Sequence, residues 1–123
     1  MRRSYKELVA WQKAMDLVTA TYRATAGFPK EEQFGLTSQL RRAAVSIPSN
    51  IAEGQDRLSE KEFRHFLGQA HLWRSRLRLQ IAQNLGYTQL LQTSELLKAC
   101  GEVGKILNGL LASICKPPNS EDS

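Results

Sequence analysis

Apolar residues return at every third or fourth position along almost the whole chain, and nowhere do they alternate for long with polar ones. That period belongs to the α-helix, since a half-buried strand needs a period of two. The clearest run is Leu36, Leu40, Ala43, Ala44, Ile47 and Ile51, which keeps its phase straight through Pro48. An interior proline deletes one i→i−4 hydrogen bond and presses its ring on the preceding turn, at about 3 kcal/mol unless something offsets it. Either the helix bends and continues, or it ends near Ser46 and restarts with Pro48 in a first turn. The unbroken phase predicts a kinked continuation, with Ser46 and Ser49 supplying local hydrogen bonds and Gly54 closing the segment near Gln55–Leu58.

Three more segments carry the same period. The first opens on a capping box, Ser4 with Glu7, and places Leu8, Trp11, Met15, Val18 and Tyr22 on one stripe. Gly27, Phe28 and Pro29 end it, and Pro29 is expected to start a short helical turn in the connector to Gly35. The third opens on a second capping box, Ser59 with Glu62. Its stripe is Phe63, Phe66, Leu67, Ala70, Trp73, Leu77, Ile81 and Leu85, with Gly86 as the stop. The fourth runs from about Thr88 to Ile114 with Leu96, Cys100, Val103, Leu107, Leu110 and Ile114 inward. Gly101, Gly104 and Gly109 weaken it by about 1 kcal/mol each against Ala, and offer room for close helix approach.

A chain of 123 residues suffices for one domain with its own core. These patterns predict an all-α fold over residues 1–115, an antiparallel up-down-up-down four-helix bundle with a proline kink in helix 2. The polar, proline-broken tail over 116–123 is expected to be disordered.

Reactive groups do not converge. His65 and His71 miss the three- or four-residue spacing of a helical metal pair, and no Glu-x-x-His occurs. Cys100 and Cys115 fall in an apolar helical pattern without a CxxC motif, which reads as buried reduced thiols. There is no glycine-rich phosphate loop and no G-x-S-x-G. Glu31 with Glu32 and Glu60 with Glu62 read as solvated helix starts and linkers. No catalysis, cofactor, metal or small-molecule substrate is expected. Two arginines near the start precede no apolar run, so no signal peptide is read there, and no stretch approaches the ~18 apolar residues of a membrane span. The expected location is cytoplasmic.

The charge points elsewhere. Seventeen basic against twelve acidic residues leave a net +5, which suits a polyanionic partner. Arg41, Arg42, Arg57, Lys61, Arg64, Arg76 and Arg78 crowd the second and third segments and are candidate contacts to the phosphates of RNA or DNA. Their alternative role is a solvated face with ion pairs to neighbouring acids. Trp73 is the one aromatic candidate for stacking on a base. At about 100° per residue, Leu72 and Leu79 fall near Gly68 on the side opposite the expected core stripe, which suggests a second buried surface. Arg74 falls near the middle of the core stripe, where it must reach an acid such as Glu53 or Glu102, or snorkel out.

Three stretches, LVAWQKAMDLV, FPKEEQFGLTSQLRRAAVSIPSNIAEG and LSEKEFRHFLGQA, resemble the four-helix-bundle family of proteins encoded in 23S ribosomal RNA intervening sequences. That family includes the accessory variability proteins of diversity-generating retroelements. The likeness covers most of residues 4–115. It implies a four-helix protomer, often assembled as a pentameric ring with a basic surface, and a nucleic-acid-associated role without a defined activity. Arg41, Arg42, Ser46, Pro48, Asn50, Ala52, Glu53 and Gly54 match the family's signature. In that light Pro48 and Gly54 shape packing, while Asn50 and Glu53 are expected to hydrogen-bond across helices.

The chain departs from the family after Ala70. Where members read close to x-G-S-L-x-E-L-E-T, this chain reads HLWRSRLRL, with Leu72, Trp73, Arg76, Arg78 and Leu79 in place of Gly, Ser, two acids and Thr. Small becomes large and acid becomes base within one helix, the mark of a rebuilt interface, natural or designed. Gly68, Leu72, Trp73, Arg76 and Leu79 are therefore the candidate contact between subunits. Two readings follow: a non-enzymatic homo-oligomer with a basic, nucleic-acid-associated surface, or a protein-interaction scaffold that binds no nucleic acid.

Overall fold

The computed structural model describes residues 9–57 and 70–114, with 54–57, 70–73 and 110–114 described by their backbone alone. Among the described residues there are four α-helices and no strand: α1 (Val9–Thr25), α2 (Leu36–Arg57), α3 (Ala70–Asn84) and α4 (Leu90–Ile114). Each helix packs on its two neighbours around a ring, α1 on α2, α2 on α3, α3 on α4 and α4 on α1. This ring packing gives the four-helix bundle expected from the periodicity. Both capping boxes, the stripe residues Leu8, Phe63, Phe66 and Leu67, His65 and the 116–123 tail lie outside the described residues.

α2 runs unbroken through Pro48, which is buried in its interior. Ser46 Oγ donates to the Ala43 carbonyl at 2.6 Å and Ser49 Oγ to the Val45 carbonyl at 2.8 Å. These hydroxyls load the carbonyls on either side of Ala44, whose usual donor Pro48 cannot supply. All six expected α2 positions, Leu36 to Ile51, are buried, as are Leu96, Cys100, Val103 and Leu107 of α4. Burial pushes the Cys100 thiol up to about 11, opposed in part by the Arg76 guanidinium, so it behaves as core filler.

Helices α1 and α3 turn differently from expectation. The buried line of α1 is Ala10, Ala14, Leu17, Thr21 and Ala24, while Met15 and Tyr22 are exposed and Trp11 and Val18 half-buried. Small residues face in and let α1 approach α2 and α4 closely; the large ones flank the seam. In α3, Ser75, Leu79 and Ala82 point inward, with Leu79 only 2% exposed, whereas Leu77 is 58% exposed and Ile81 and Leu85 are exposed too. Leu79 thus belongs to the protomer's own core, and the outward apolar line is Leu77, Ile81 and Leu85. Arg74 lies in solvent on that outward side and needs no buried partner.

The two loops at one end of the bundle lock together. Pro29 starts a 3-10 turn over Lys30–Glu32, as expected. Glu32 Oε1 accepts the Leu36 N–H at 3.1 Å, and its Oε2 accepts the Tyr87 hydroxyl at 2.9 Å, which holds that phenol above its ordinary range. Phe28 packs on Tyr87 in a tilted pair, ring centres 5.4 Å apart. α3 stops at Gly86, whose φ of +80° suits a residue without a Cβ; its N–H meets the Gln83 carbonyl and that of Tyr87 the Ala82 carbonyl. This crossed pair is the Schellman arrangement. In α4, a Cβ at Gly101 or Gly109 would meet open space, so close helix approach is not what those glycines serve.

Candidate nucleic-acid interface

The last turns of α1 and the first turns of α2 enclose an open groove of about 700 Å³, walled by Tyr22, Phe34, Thr37, Ser38, Arg41 and Arg42. Its shape begins with threonines. Thr21 and Thr25 are buried, and each hydroxyl donates back to a carbonyl one turn earlier, at 2.8 Å in both cases. With its proton so used, Thr25 Oγ1 presents a lone pair to α2, where Arg41 Nε donates to it at 2.8 Å. A second Arg41 nitrogen reaches the Tyr22 carbonyl at 3.4 Å, and the guanidinium carbon lies 4.4 Å from the Tyr22 ring centre.

Arg41 is therefore fixed by neutral partners. It is half-buried, and among the described residues no carboxylate pairs with it or with exposed Arg42. A guanidinium carries five N–H donors, and two contacts leave the rest for a ligand. A desolvated cation without a counter-charge favours an anion beside it. Phe34, at 90% exposure, forms the groove's apolar lip. Thr37 is buried at the wall, its hydroxyl without a hydrogen-bond partner.

Of the remaining expected contacts, only Arg76 and Arg78 have described side chains, and neither lines this groove. Arg76 is exposed and lines a separate recess of about 250 Å³ with Leu77, Gln80 and Leu97; Arg78 is half-buried. The Arg57 side chain, Lys61, Arg64 and Gly68 lie outside the described residues, as do the side chains of His71, Leu72 and Trp73. Of the signature, Pro48 is buried, Asn50 half-buried and Glu53 exposed, and Gly54 continues the helix. Among the described residues no hydrogen bond joins Asn50 to another helix, contrary to expectation. Nothing in the charge pattern marks Tyr22, Phe34, Thr37 and Ser38 as groove residues. The available signal was Phe34 itself, an aromatic just before a helix and outside every apolar stripe.

Among the described residues no group of three or more His, Cys, Asp or Glu could hold a metal, and no helix is long and apolar enough to cross a membrane. No curated protein matches the chain. The family model described as 23S rRNA-intervening sequence protein matches residues 6–109, which takes in all of α1, α2 and α3, the groove and most of α4. By that match over most of its length, the chain belongs to the 23S rRNA-intervening sequence protein family.

Proposed function

We propose that this protein is a non-enzymatic helical bundle that assembles with copies of itself and binds RNA or DNA through its arginines. The observation that carries this reading is Arg41, half-buried and held by Thr25 and Tyr22, with no carboxylate beside it among the described residues and with Arg42 next in sequence. Net charge of +5 adds long-range attraction for a polyanion. The resemblance adds a ring of five protomers as the expected assembly. Phosphate contacts dominate nucleic-acid affinity and make it depend steeply on salt.

The test is fluorescence anisotropy of a short labelled single-stranded RNA titrated at several salt concentrations. Affinity is expected to fall linearly on a log–log plot. Arg41→Gln with Arg42→Gln will lower the slope by roughly 1.4, about 0.7 for each lost phosphate contact on a single strand. An absence of binding even at low salt contradicts the reading. It would favour instead a protein-interaction scaffold, for which the outward line Leu77, Ile81 and Leu85 speaks.

A further inference from the structure

We propose that the groove between α1 and α2 is a subsite for one nucleotide of a single strand, with phosphate on Arg41 and Arg42 and base stacked on Phe34. This rests on the nucleic-acid reading and goes beyond it by naming the place, the strandedness and the stacking residue. Two chemistries meet in one groove. Among the described residues the arginines have no counter-ion and no ring covers Phe34, which supplies a flat apolar surface. A nucleotide carries the complement of both, an anionic phosphate and a π-face. An acidic peptide would match the charge and leave the aromatic lip bare.

The dimensions agree. A cavity of about 700 Å³ falls within the roughly 300–1,000 Å³ of small-ligand sites, large for a phosphate alone and small for a duplex. Phe34 precedes Arg41 and Arg42 by about two helical turns, on the order of 10 Å along the axis. Helix side chains lean toward the N-terminus, which draws the exposed Arg42 head back toward Phe34. A base can lie on Phe34 only when freed from its own stack, which selects unpaired strands. Phenylalanine has no hydrogen-bonding edge, so the site tolerates any base. The hydroxyl of Ser38 and the amide of Gln33, both at the groove, are available for the sugar.

The experiment compares labelled single-stranded and duplex RNA of equal length, by anisotropy, against the full chain and the variants Phe34→Ala and Phe34→Trp. Wild type should prefer the single strand. Phe34→Ala should weaken single-strand binding about tenfold and leave duplex binding within about twofold. Phe34→Trp should restore affinity and add an indole signal that the strand quenches beyond the wild-type change. Circular dichroism melting and light-scattering mass accompany each variant, and neither should move, because Phe34 is exposed. Intact binding that ignores Phe34→Ala overturns the subsite and leaves the broader reading standing. No RNA binding by wild type overturns both. A changed mass in Phe34→Ala marks the ring as a contact between copies and overturns the subsite alone.

Discussion

At concentrations low enough for the protomer to stand alone, Leu79→Ala will destabilise it by about 2–5 kcal/mol, while Leu77→Ala two residues away will change its stability by no more than about 0.5 kcal/mol. Leu79 is 2% exposed and packs with Ile51, Ala82, Leu96 and Cys100 in one cluster. Truncating it removes buried methyl and methine groups and leaves a cavity that rigid neighbouring helices cannot fully close. Leu77 is 58% exposed, so its truncation opens no cavity within the protomer. Denaturant unfolding followed by circular dichroism reads both, as a fall in midpoint with unchanged slope. Equal costs, or the reverse order, would mean that α3 faces the other way.

Ala14→Leu carries the second large effect. Ala14 has no exposed surface and lies midway along α1, between Ala10 and Leu17 on the line that abuts α2 and α4. An added isopropyl group there has no space, so side chains leave their rotamers or α1 moves away, at roughly 1–3 kcal/mol or more. Met15→Leu, one position along and exposed, is expected to be nearly neutral. The same unfolding measurement compares them. A neutral Ala14→Leu would contradict close packing of the small-residue seam.

These two helices are also where sequence and structure part. In α2 and α4 one apolar stripe runs the length of the helix, with only Val45, Leu90 and Leu91 as large apolar residues exposed beside it among the described residues, and the period alone identified Leu40, Ile47, Leu96 and Val103 as core. In α1 and α3 two apolar lines run side by side. Size favoured Met15 and Tyr22 over Ala10 and Ala14, yet close helix approach selects the small residues. In α3 the stripe of Leu77 and Ile81 continued the phase set by Phe63 and Leu67, while Leu79 and Ala82 formed the shorter pattern that is buried. Periodicity reports that a helix is amphipathic; it does not say which of two greasy faces meets its own chain. The groove was legible only at Arg41 and Arg42. Tyr22 entered as a core residue and Phe34 not at all, because a loop aromatic gains meaning only when tertiary contacts bring a cation beside it.

The proposed self-assembly rests on the outward apolar line of α3. Leu77, Ile81 and Leu85 along α3 are more large apolar side chain than one small protomer gains by exposing. In the proposed assembly further copies cover this line, the grooves repeat around the oligomer, and repetition multiplies affinity for a long strand. Multi-angle light scattering on the purified chain, beside Leu77→Glu with Ile81→Glu, decides this most directly. The account predicts a closed oligomer for wild type, and the single 13.8 kDa protomer, still helical, for the variant. A wild-type mass of one protomer at micromolar concentration would contradict it.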